Sequence, residues 1–108
     1  MIKINFIGHT GTHHRLEAVA GHSVMEVAVR NGIAGIDAQC GGACSCATCH
    51  VYVDAQWTDH VPPVTATEEM MLEFVEDQRP ESRLACQLMI DEALDGLTVR
   101  IPASQREF

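Results

Sequence analysis

The run Cys40-Gly41-Gly42-Ala43-Cys44-Ser45-Cys46-Ala47-Thr48-Cys49 places four cysteines within ten residues, while the fifth, Cys86, lies far downstream. An odd count leaves one thiol over in any disulfide scheme, and nothing marks the chain as secreted. The cluster therefore reads as a metal or redox site rather than a disulfide framework. No side chain in the run is larger than Thr, and Gly41 and Gly42 can adopt conformations closed to other residues. Such a loop lets backbone amides come close to a bound group. Zinc is usually delivered four ligands in two short Cys or His pairs. Cys86 has no cysteine or histidine beside it, so a zinc site would draw three ligands from the loop and one from afar, an uncommon arrangement. An iron-sulfur cluster, wrapped by four thiolates with amides directed at its sulfurs, suits a loop of this composition better.

Working outward, residues 32–49 carry glycines at 32, 35, 41 and 42 and no sustained period, the pattern of an irregular loop. Upstream, residues 2–7 and 12–18 alternate as two strands around Gly8-His9-Thr10-Gly11, a hairpin turn. Ser23 with Glu26 three residues later forms a capping-box pattern that predicts a short helix over about 23–31, stopped by Gly32. Downstream, Val51-Tyr52-Val53 predicts a strand, and Pro62-Pro63 breaks the chain. A second capping pattern, Thr65 with Glu68, opens a helix near 66–77 whose buried stripe would be Met70, Met71, Phe74 and Val75. Leu84 to Ile90 and Leu97 to Ile101 read as later strands, the second preceded by an Asp95-Gly96 turn. Interleaved strands and helices in so short a chain predict an α+β fold, a mixed β-sheet with one or two packed helices.

The 108 residues, 46% apolar and 20% charged, suit one domain and leave no room for a second. No stretch approaches the roughly 20 consecutive apolar residues that cross a bilayer. The start, Met1 to Ile7, alternates like a strand and lacks the features of a signal peptide or presequence, so a cytoplasmic location is expected. The formal charge of −8 is the wrong sign for binding phosphate backbones or anionic lipid, so neither nucleic acid nor membrane is an expected partner. Outside the cysteine loop there is no convincing catalytic constellation.

Over essentially its whole length the sequence resembles the vertebrate-type 2Fe-2S ferredoxins, the adrenodoxin and putidaredoxin group. Three elements carry the resemblance. They are the spacing Cys40, five residues, Cys46, two residues, Cys49, then 36 residues to Cys86; the segment Cys46-Ala47-Thr48-Cys49-His50-Val51-Tyr52-Val53; and Ser82-Arg83-Leu84-Ala85-Cys86-Gln87. The plant-type spacing, with four residues between the first two ligands, would need cysteines where Ser45 and Thr48 stand. The resemblance implies a ferredoxin-type β-grasp fold and one 2Fe-2S cluster held by Cys40, Cys46, Cys49 and Cys86. Cys40 and Cys46 would hold the iron nearer the surface, and Cys44 would be a spare small residue. His50, beside Cys49, is implied to be a hydrogen-bonding support for the loop rather than a ligand. A Rieske-type site would need two histidines on one iron, and His9, His13, His14, His22 and His60 are scattered over turns and strand ends.

Charge is unevenly spread. Residues 54–81 hold eight acids against the single base Arg79, a balance of −7, which leaves −1 for the rest of the chain. On the predicted second helix Glu69 and Glu73, and Glu73 and Asp77, are like-charged at (i, i+4) and repel. A face with stability against it, yet of one sign, suits the steering of a basic partner. The resemblance assigns this helix to docking, through Glu68, Glu69, Glu73, Glu76 and Asp77, with Phe108 as an aromatic C-terminal contact. Some members of the group carry an acid before the first ligand and a C-terminal tryptophan; Gln39 and Phe108 stand there here.

The implied function is one-electron transfer rather than enzymatic conversion. The protein would be a monomer that receives electrons from an FAD-containing, NAD(P)H-dependent ferredoxin reductase. It would pass them to a terminal acceptor, foremost a bacterial cytochrome P-450, a haem-thiolate monooxygenase. The alternatives are a ferredoxin serving iron-sulfur cluster assembly and, from another class, a zinc-stabilised protein-interaction module.

Overall fold

A computed structural model describes residues 2–32, 49–75 and 78–102 of the chain. Among them five strands form one mixed sheet: β1 (Ile2–Ile7), β2 (His13–Ala18), β3 (His50–Val53), β4 (Ser82–Leu84) and β5 (Leu97–Arg100), in the order β2-β1-β5-β3-β4. β1 and β2 make the antiparallel hairpin that the alternation predicted, with Ile4 opposite Leu16. Gly11 closes the turn at φ 93°, a conformation open to glycine and strained for other residues. β5 then adds to β1 in parallel, pairing Ile4 with Leu97 and Phe6 with Val99. β3 adds antiparallel to β5, and β4 to β3. Central placement buries Ile4, Phe6, Val51, Leu97 and Val99 completely, and these apolar side chains form the core.

Helix α1 (Val24–Arg30) packs Val24, Met25, Val27 and Ala28 into that core. Its predicted capping box is complete. The Glu26 N–H donates to Ser23 Oγ at 3.1 Å, and the Ser23 N–H donates to the Glu26 carboxylate at 3.3 Å. The His22 ring is also bonded to Glu26, Nδ1 lying 3.1 Å from Oε2.

Helix α2 (Ala66–Leu72) corrects the expectation in length and in face. Thr65 caps it, accepting from the Glu68 N–H at 3.2 Å, but the Glu68 side chain turns inward instead of completing a box. Regular helix ends at Leu72. Residues 73–75 tighten into i→i−3 bonds, such as Phe74 N–H to Met71 O at 3.0 Å. The last turn of the helix carries no basic residue to offset its negative C-terminus, and Glu73 adds repulsion to Glu69. The predicted continuation through residues 76 and 77 lies outside the described residues. The buried face is Glu68, Leu72 and Val75, whereas Met70 and Phe74 are 65% and 51% exposed. An ion pair, not the richest apolar stripe, sets the rotation of this helix.

The predicted strand 84–90 is also corrected. β4 stops at Leu84, and Ala85–Gln87 turns as a 3₁₀ segment. Residues 88–90 then leave the sheet to pair with 21–24, through Val24 N–H to Leu88 O at 2.9 Å and Ile90 N–H to His22 O at 2.8 Å. The turn is fixed by the Ala85 N–H, which donates to Cys49 O at 2.8 Å.

Candidate metal centre

That hydrogen bond joins the flanks of two cysteines. β3 and β4 run antiparallel with His50 opposite Leu84, so Cys49, just before β3, and Cys86, just after β4, emerge at the same end of the sheet. Residues 37 positions apart in sequence thus become neighbours through strand register. Both thiols are shielded, Cys49 being 1% and Cys86 7% exposed. Gln87 Nε2 lies 3.5 Å from Cys86 Sγ, an amide donor directed at sulfur. Two shielded thiols from adjacent strand ends, one with an N–H donor on its sulfur, fit the thiolate ligation of an iron-sulfur cluster. Cys40, Cys44 and Cys46 lie outside the described residues.

His50 sits behind Cys49, 1% exposed, with Nε2 2.8 Å from Ser82 Oγ. The Ser82 hydroxyl oxygen also accepts the Arg79 N–H at 2.8 Å. The His50 ring packs edge-on against Tyr52 at 4.8 Å between centroids, and the Arg79 guanidinium covers Tyr52 at 4.6 Å. The imidazole is therefore held between β3 and β4 by Ser82 and Tyr52. Sequence reading singled out His50 but not Ser82 as its partner, although Ser82 opens the segment that ends in Cys86.

Glu68 is a correction to the expected docking set. It is 0% exposed, and its carboxylate accepts from Arg83 Nε at 2.8 Å, from Arg83 Nη2 at 3.0 Å and from the Leu84 N–H at 2.9 Å. Arg83 Nη1 donates in turn to Pro62 O. A carboxylate so enclosed presents nothing to a partner; it ties α2 to β4 two residues before Cys86. The signal in the sequence was Arg83 itself, a base between strand residues and the apolar Leu84-Ala85, which needs a buried acid once the strand is covered. Glu69 and Glu73 are exposed and carry the acidic face of α2. Glu76, Asp77 and Phe108 lie outside the described residues.

The chain matches the family model of a 2Fe-2S iron-sulfur cluster binding domain over residues 7–91. It is 48% identical over 104 residues to ferredoxin CarAc of a Sphingomonas species, covering 96% of this chain and 95% of that one. The crystal structure of a reduced variant of putidaredoxin from Pseudomonas putida superposes with a TM-score of 0.94 at 45% identity, covering 96% of this chain and 99% of that one. Putidaredoxin in its covalent complex with putidaredoxin reductase matches with a TM-score of 0.90 at the same identity and coverage. These matches favour the iron-sulfur over the zinc reading of the cysteines. No helix among the described residues is long and apolar enough to cross a membrane. The shielded Cys49–Cys86 pair, the sheet order and these likenesses together place the chain in the adrenodoxin-type 2Fe-2S ferredoxins, electron-transfer proteins of β-grasp fold that carry one 2Fe-2S cluster and are not enzymes.

Proposed function

We propose that this chain carries single electrons from an FAD-containing, NAD(P)H-dependent reductase to a haem-thiolate monooxygenase. It would act in the cytoplasm as a monomeric single domain. The observation that carries the reading is the likeness, over 96% of the chain, to putidaredoxin in complex with its reductase. The ligands are Cys40, Cys46, Cys49 and Cys86, with Cys44 not ligating. When bound, the cluster takes up and gives back one electron.

The residues of the chain do the rest. β3 and β4 hold Cys49 and Cys86 at one end of the sheet, a paired frame that limits reorganisation on electron uptake. Gln87 supplies an N–H to the Cys86 sulfur, and donors of this kind raise the affinity for the added electron. His50 backs the loop and excludes water from behind it. On α2, Glu69 and Glu73 draw a basic partner by long-range attraction, and the proposed docking set also includes Glu76, Asp77 and Phe108. Weak, charge-steered encounters suit a carrier that must leave one partner to reach the next.

The test is reconstituted turnover with purified reductase and monooxygenase across ionic strengths. Turnover that falls with salt, and that falls further at low salt in Glu69→Gln/Glu73→Gln with a shallower salt dependence, supports the reading. Transfer to a cysteine desulfurase and scaffold system, with none to any monooxygenase, would assign the chain to cluster assembly instead.

A further inference from the structure

Away from the cysteines, one row of the sheet runs Ile7–Arg100–Tyr52 across β1, β5 and β3, since Arg100 is the register partner of both Ile7 and Tyr52. Paired residues on neighbouring strands project to the same face. Over this row lies an open cleft of about 370 Å³, closed on one side by the β1–β2 turn at Gly8 and Gly11 and on another by Ile101 and Pro102. Arg79 reaches in from the segment before β4, its guanidinium lying over the Tyr52 ring. Two of the seven bases of a chain with a formal charge of −8 therefore converge on one cleft from separate elements.

Arg100 is poorly satisfied there. Its Nε is shut off from solvent and has no hydrogen-bond partner among the described residues. Among the described residues its ion-pair partner is Glu81, held through Nη2 at a long 3.5 Å with both side chains partly exposed. A covered guanidinium N–H without an acceptor loses its hydration with nothing in return, and a carboxylate oxygen is the acceptor that best fits the guanidinium fork. The remaining walls mix apolar Ile7, Ile101, Pro102 and the Tyr52 ring with His9 and the Gly8–Gly11 turn. The volume lies at the lower end of the roughly 300–1,000 Å³ of small-molecule sites. The net negative field of the protein opposes a compact dianion such as phosphate more than a monoanion that also buries an apolar body.

We infer that this cleft is a binding site for a small organic monocarboxylate with a flat apolar body, its carboxylate held by Arg100 and Arg79 and its body against Ile7, Ile101 and Pro102. The site does not depend on the proposed redox partners. Its test is titration of the holoprotein with benzoate, followed by calorimetry and by ¹⁵N amide shifts, with benzamide and inorganic phosphate as comparison probes. Saturable benzoate binding is expected, with shifts at Gly8, Tyr52, Arg100 and Ile101. Benzamide should not bind, and phosphate should bind at least tenfold more weakly. Arg100→Gln and Arg79→Gln should each weaken benzoate at least tenfold with the visible spectrum unchanged, and Arg100→Lys should recover only part of the loss. Non-saturating shifts, equal affinity for phosphate, or undiminished binding in Arg100→Gln would overturn the inference. So would tighter binding after removal of residues 103–108, because the chain's own tail would then be the occupant.

Discussion

Replacing Glu68 by Gln would separate two roles that the sequence alone could not. The carboxylate is fully buried and accepts from Arg83 Nε and Nη2 and from the Leu84 N–H. An amide of the same size keeps one acceptor oxygen and sets an NH₂ against a donor, leaving the Arg83 charge buried and uncompensated. Removing one partner of a buried pair costs about 3–5 kcal/mol. For a chain of this size that corresponds to a fall of roughly 10 °C or more in the apparent Tm, taking about 3–5 °C per kcal/mol. Removing both charges, as Glu68→Leu/Arg83→Leu, should recover much of the loss, because no charge is stranded. The Leu84 N–H would still lack its acceptor, at about 1–3 kcal/mol. The assay is far-UV circular dichroism at a fixed scan rate, begun on samples with equal visible absorption, since cofactor loss makes the transition a kinetic one. Reductase affinity is measured alongside. A Glu68→Gln variant that melts within about 2 °C of the wild type, far less than that pair energy implies, while binding reductase more weakly would refute the buried-tether role and restore Glu68 to the docking surface.

Other outcomes follow from the same geometry. Ser23→Ala removes the acceptor of the Glu26 N–H and should lower stability by about 1 kcal/mol, read as a shift of a few degrees in apparent Tm. The His22 hydrogen bond, with the Ser23 N–H second, holds the Glu26 carboxyl below the ordinary carboxylate range. A carboxyl with a depressed folded-state pKa contributes stability above its unfolded pKa and loses it as pH falls through the folded value. This contribution should therefore vanish on acidification below the usual carboxylate range, and His22→Ala should move the ¹³C titration midpoint of Glu26 upward. Ser82→Ala strands the His50 ring nitrogen and the Arg79 N–H, so it should destabilise the fold by about 1–3 kcal/mol and shorten the half-life of the visible absorption. An unchanged half-life would remove Ser82 from the support of the cysteine loop.

Local signals in the sequence carried over well. The alternation of residues 2–7, the Ser23–Glu26 box and the Asp95-Gly96 turn each depend on neighbours within a few positions, and each is found where expected, Gly96 at φ 96°. Non-local terms were not legible. The face of α2 is chosen by Arg83, 15 residues from Glu68, so hydropathy pointed to Met70 and Phe74 although a carboxylate occupies the inner face. The apolar run from Leu84 leaves the sheet because residues 88–90 find backbone partners at 21–24, a pairing that no periodicity encodes. The site divides along the same line. Cysteine spacing and the segment around Cys86 implied the ligands, but the approach of Cys49 to Cys86 requires the β3–β4 register, and Ser82 and Gln87 acquire roles only through it. Arg100 reaches Tyr52 through the β3–β5 pairing and Arg79 through Ser82 on the β3–β4 side, two pairings that no local pattern encodes.

The central claim is one-electron transfer at a 2Fe-2S cluster held by four particular thiols, and a reductive titration with dithionite tests it most directly. With iron, sulfide and visible absorption measured on the same sample, the wild-type protein should hold two irons and two sulfides and bleach on taking up one electron per chain. Cys44→Ser should behave identically, while Ser at position 40, 46, 49 or 86 should abolish the native spectrum. A colourless protein containing stoichiometric zinc, uptake of two electrons per chain, or loss of colour in Cys44→Ser would contradict it.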